Sequence, residues 1–147
     1  MKGMNRRAAQ LGLTNTRFTN ACGHDAPGHF ASVHDIARLA QAAMQVAQIA
    51  RWVAQAQTRI TTMNRQRSYT LKTTNALIGR YDGVLGVKTG TTPKAGKCLV
   101  ALVGRGRHAV MLVMLKGRDR WWDAVEVLDI AFARAHASAN AQPHGEP

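Results

Sequence analysis

Lys88, Thr89, Gly90 and Thr91 stand in a row inside Gly86-Val-Lys-Thr-Gly-Thr-Thr-Pro-Lys-Ala-Gly96, just ahead of the apolar run Cys98-Leu-Val-Ala-Leu-Val103. The row places an ammonium, two hydroxyls and a residue without a side chain at the end of a strand. Such an edge offers an extended ligand a cation, hydrogen-bond donors and bare backbone. Covalent chemistry needs a nucleophile as well, and serine is the first candidate. The three serines are Ser32, Ser68 and Ser138, and the residues three places on are Asp35, Leu71 and Ala141. None is the lysine that would serve as an adjacent base.

Other reactive side chains carry blander readings. Cys22, His24, His29 and His34 are metal-ligand types, but their spacing matches no usual zinc pattern and favours an ordered loop. No metal or cofactor is implied. Asn75 is suited to holding a turn. Trp52, Trp121 and Trp122 fall at helical positions that favour the core, and Arg65 and Arg67 read as a solvated face. Cys98, among apolar strand residues, reads as a buried free thiol; whether it pairs with Cys22 is open.

The elements that must position Lys88 to Thr91 follow from period and punctuation. Met4 to Leu11 reads as a helix ending at Gly12, followed by a turn-rich loop from Thr14 to His29. Ser32 caps a helix whose apolar face is Ile36, Leu39, Ala40, Ala43, Met44 and Ala47, with Asp35 favouring its positive end. Gln48 to Gln55 continues as a second helix. Arg59–Met63 and Ser68–Leu71 favour short strands, and Val84 to Thr91 is the strand carrying the key row. Lys97–Val103 and Ala109–Leu115 are joined by Gly104-Arg-Gly-Arg107. They predict a hairpin buried on both faces, which requires helices on each side of the sheet. Asp119 caps a last helix with Trp122, Val125, Leu128, Ala131 and Phe132 in one stripe.

At 147 residues the chain builds one core, an α+β unit over residues 1–137, with a disordered tail expected at 138–147. No apolar run approaches the roughly 20 residues needed to span a bilayer, and no export signal is recognised. The net charge of +12 raises nucleic acid as a partner. The arginines are scattered, however, and few aromatics exist to stack on bases, so specific nucleic-acid binding is not expected. An anionic glycan polymer suits the charge equally well.

On these residues the chain resembles the D-alanyl-D-alanine carboxypeptidases of the low-molecular-mass penicillin-binding protein class (peptidase S11), specifically the C-terminal portion of their catalytic domain. Met4-Asn5 and Leu11-Gly-Leu-Thr-Asn-Thr-Arg-Phe18 look like the family's segment after its Ser-x-Asn signature. His29-Phe-Ala-Ser-Val-His-Asp35 looks like its next helix start. Thr74-Asn75, then Gly86-Val-Lys-Thr-Gly-Thr-Thr92 and Ala95-Gly-Lys-Cys-Leu-Val-Ala101, match its third signature, Lys-Thr-Gly, and the following strand. The resemblance implies a β-lactamase/transpeptidase-like fold, an antiparallel sheet with helices on both faces, incomplete at the N-terminal side. It implies periplasm or cell envelope, no cofactor, and a peptidoglycan peptide ending in D-Ala-D-Ala as partner, with β-lactams as its mimics. By the same resemblance Lys88 and Thr89 are catalytic, Gly90 receives the substrate backbone, and the Thr91 amide is an oxyanion donor.

The chain departs from the family at its first two signatures. Ser-x-x-Lys is missing, and the Ser-x-Asn spelling occurs only at Ser138-Ala-Asn140, after Lys88 and in the wrong order. Thr91-Thr-Pro-Lys94 mimics the nucleophile spacing with threonine but overlaps the strand signature. The polypeptide is therefore expected to be inactive by itself. Alternatives are a non-catalytic remnant, a cell-wall-peptide-binding module, or a class A β-lactamase fragment. The last needs a glutamate ahead of Lys-Thr-Gly, and the only glutamates, Glu126 and Glu146, both follow it.

Overall fold

The computed structural model describes residues 1–140. Helix α1 (Lys2–Gln10) ends at the expected glycine. Gly12 adopts φ 69°, its N–H reaching Ala9 O at 2.9 Å while Leu13 N–H reaches Ala8 O at 3.0 Å. This pair of bonds satisfies carbonyls that a helix end would otherwise leave free. The following loop is not continuous coil, because β1 (Thr16–Arg17) pairs antiparallel with β2 (Phe30–Ala31) and closes its neck.

Ser32 caps α2 (Val33–Met44) as predicted, its Oγ accepting the Asp35 N–H at 3.1 Å. Asp35 does more than favour the helix's positive end. It is 1% exposed and accepts from Asn15 N–H at 2.7 Å and the Thr16 hydroxyl at 2.8 Å, tying the loop to the helix. After α3 (Ala47–Val53) the chain makes a hairpin, β3 (Gln57–Thr61) with β4 (Ser68–Lys72), exposed throughout. Turns from Asn75 to Tyr81 lead into the main sheet.

That sheet is antiparallel in the order β5 (Val84–Thr92), β6 (Gly96–Arg105), β7 (His108–Gly117). On β6, Leu99, Ala101 and Val103 alternate onto one face and are at most 1% exposed. Helix α4 (Arg120–Asn140) covers that face with Ala124, Leu128 and Phe132, closing a core that includes Leu77. Each large side chain buried there contributes about 1.5–3 kcal/mol. Helix α2 lies toward the opposite face, where Ile36, Leu39, Ala43, Val100 and Leu115 line an apolar hollow of about 320 Å³.

Several expectations need correction. Trp122 is 72% exposed, and Trp121 packs against the core in its place, because the small Ala124 rather than a bulky residue sets the contact stripe. Trp52 is also exposed. Of the two apolar runs, central β6 is buried on one face and half-buried on the other, whereas β7, the outer strand of the sheet, has no fully buried residue. Cys98 is half-buried rather than sealed in. Helix α4 is described through Asn140, and residues 141–147 of the expected tail lie outside the described residues.

Candidate functional site

Strand β5 is an outer strand, paired along one side with β6 from Val84↔Val103 to Thr92↔Gly96 and open along the other. Its period of two sends Thr89 inward, 8% exposed, and leaves Lys88 and Gly90 outward. All four predicted residues, Lys88 to Thr91, line one groove of about 610 Å³. The Lys88 ammonium donates to Thr89 O, and the Thr89 hydroxyl lies 2.6 Å from that of Thr74. One donor and two acceptor positions per hydroxyl leave Thr89 capacity for a further partner.

Gly90 is informative because the fold does not demand a glycine there. Its φ is not in the left-handed region, and an added Cβ would meet only Cys98 Cβ, at an ordinary 3.9 Å. The missing side chain leaves bare backbone at the strand border.

Sequence reasoning missed Arg120. It opens α4, a cation at the helix end whose dipole favours anions. The guanidinium Nη1 donates instead to Gly90 O at 2.8 Å, the Thr91 hydroxyl at 2.9 Å and Cys98 O at 3.2 Å, and it stacks 4.6 Å from the Trp121 ring centroid. Its buried Nε has no partner. A basic residue at the wrong pole of a helix was the available signal; the carbonyls that justify it lie 22 to 30 residues away.

The facing wall is the loop Ala21–His24. Asn20 folds its tip, its Oδ1 accepting Gly23 N–H at 2.8 Å and His24 N–H at 3.1 Å. Asp25 latches the loop to the β5–β6 turn, accepting from the Thr92 hydroxyl at 2.6 Å and Lys94 N–H at 2.9 Å. The Thr92 bond, then the Lys94 amide, hold the Asp25 carboxyl below its ordinary value. His29, grouped by type with Cys22, His24 and His34, meets Thr19 N–H at 3.2 Å through Nδ1 and so steadies the loop. Cys22, exposed, and Cys98 both line the groove, and both are free thiols.

Asn75 is 4% exposed and holds a turn as predicted, its Oδ1 accepting Leu77 N–H at 3.1 Å. It borders a second hollow of about 310 Å³ that meets the first at Lys88 and Thr89 and is walled by Trp52, Leu71 and Lys72. Among the described residues the main groove has Lys88 and Arg120 in its lining and neither an Asp nor a Glu, so it favours an anionic ligand. No serine is among its described lining residues: Ser32 caps α2, Ser68 lies 2.9 Å from the Thr61 hydroxyl on the hairpin, and Ser138 is near the end of α4.

Comparison with known proteins finds relatives over most of this chain. The family described as Peptidase S11, D-alanyl-D-alanine carboxypeptidase, matches residues 1–119. The D-alanyl-D-alanine carboxypeptidase DacF of Bacillus subtilis is 33% identical over 91% of this chain and 35% of its own length. The Streptomyces K15 DD-transpeptidase crystal structure superposes with a TM-score of 0.83 at 31% identity, covering 88% of this chain and 52% of that one. Penicillin-binding protein D2 of Listeria monocytogenes, solved in its ampicillin-bound form, gives 0.77 at 27% identity over 89% and 55%. The chain thus spans a third to about half the length of these relatives.

Proposed function

The chain belongs to the Peptidase S11 family of D-alanyl-D-alanine carboxypeptidases, and from that membership we propose that its groove holds the end of a peptidoglycan stem peptide terminating in D-Ala-D-Ala. The observation that carries this reading is Gly90, a glycine with no structural need, on an open strand border between two cations. A peptide laid along β5 extends the sheet by one strand and brings its C-terminal carboxylate to Lys88, the Thr89 hydroxyl and Arg120. The Thr91 amide serves as a donor to the carbonyl oxygen as it gains charge. β-Lactams, whose carboxylate imitates the peptide terminus, fit the same contacts.

In the serine-type reaction, a serine oxygen attacks the penultimate D-Ala carbonyl and the bond to the last residue breaks. Free D-Ala leaves, and water hydrolyses the acyl-serine. That serine and its lysine are not in this sequence, so the polypeptide alone binds without turnover. Losing the serine of such a site removes several orders of magnitude of rate. Incubating the chain with a D-Ala-D-Ala peptide and a fluorescent penicillin is expected to give no free D-Ala and no covalent label. Steady D-Ala release would overturn the requirement for an external serine. The absence of a serine from the groove lining favours one further reading, a cell-wall-peptide-binding module that holds the same ligand without chemistry. Family members work on the cell wall, and the envelope is the compartment this ligand implies.

A further inference from the structure

We propose that the β3–β4 hairpin is a docking arm for an anionic lipid surface, a role separate from the groove. All ten of its strand residues are exposed, and its two strands pack chiefly on each other. The pairings Ile60↔Tyr69 and Thr58↔Leu71 gather the apolar side chains on one face, while Arg59 and Lys72 fall on the other. Ile60 and Tyr69 are each nearly half exposed and Met63 at the tip is wholly so at 103%, whereas Leu71, nearer the base of the hairpin, walls the hollow beside Trp52. The tip is held in shape, with Thr62 N–H bonded to Arg67 O at 2.9 Å and Arg65 N–H to Thr62 O at 2.8 Å. Arg65 and Arg67 therefore share one held turn with the exposed Met63.

Charge selects the partner. From Gln57 to Lys72 the hairpin has four basic residues, Arg59, Arg65, Arg67 and Lys72, and no acidic one. An anionic glycan or nucleic acid satisfies the cations but leaves Met63, Ile60 and Tyr69 in water. A membrane interface takes both, the apolar tip entering beneath the headgroups and the arginines pairing with phosphates. No helix among the described residues is long and apolar enough to cross a membrane.

The test is co-sedimentation of the full chain with vesicles of phosphatidylcholine, with and without phosphatidylglycerol. Binding is expected only to the anionic vesicles. Arg65→Glu with Arg67→Glu should weaken it at least about tenfold, Met63→Asp should weaken it several-fold, and Arg107→Glu with Arg118→Glu should leave it largely intact. Equal loss in that control pair, or no loss in the hairpin variants, overturns the proposal. So does heparin binding as tight as vesicle binding with Met63→Asp silent, which would make the arm a polyanion site.

Discussion

At the residue scale, two buried or latched carboxylates decide how the groove is assembled. Burial pushes the Asp35 carboxyl upward, but the Thr16 hydroxyl, the Asn15 amide and neighbouring His34 outweigh it, and the group sits below its ordinary value. Asp25 is lowered too, mainly by Thr92. A carboxyl depressed in the folded state stabilises above its unfolded value, and that stability is lost as pH falls through the folded one. The amide signals of Asn15 and Lys94 should therefore titrate with midpoints below the ordinary value of 3.8. Midpoints at or above it would contradict the two latches. Lys88, Thr89, Gly90 and Thr91 were legible in sequence because they are contiguous and immediately precede an apolar strand. Arg120 was not, since its partners are backbone carbonyls brought near only by the folded sheet, and no local spacing encodes them.

At the element scale, the open border of β5 depends on how β5 joins β6. Gly83 adopts φ 80°, and its carbonyl accepts the Gly104 N–H at 2.9 Å. A Cβ there would lie 2.1 Å from Gly104 O, far inside contact distance, whereas at Gly106 (φ 55°) it would meet nothing within 4 Å. Gly83→Ala combines a clash with backbone strain and should destabilise by several kcal/mol, against about 1 kcal/mol for Gly106→Ala. Thermal melts of the two variants check this; equal losses would contradict the close approach. The strands of the main sheet were legible because their apolar runs are long and separated by Gly-rich turns. The β1–β2 ladder was not, because two-residue strands carry no period. Adjacent tryptophans at 121 and 122 defeat a period argument for the same reason: it admits either one, and only the wholly buried Ala124 decides.

At the scale of the whole molecule, the fold provides several hollows and the account assigns the peptide to one. The apolar space beneath α2 lacks a charged lining except Lys88, and the hollow beside Trp52 lacks Arg120. Among the hollows formed by the described residues, the groove from Ala21 to Arg120 joins an open strand border, a bare Gly90 and both cations. The α+β class and the both-sided helices were legible in the sequence. The depth of the groove was not, because its facing wall is a loop held by single side chains. The most direct measurement is an amide-resolved NMR titration of the chain with a peptide ending in D-Ala-D-Ala. Shifts should concentrate at Thr89–Thr92 and Ala21–His24 and weaken about tenfold in affinity with Arg120→Ala, the loss of charge-assisted hydrogen bonds. Shifts confined to the Trp52 hollow or the apolar space under α2, or no shifts at all, would contradict the account.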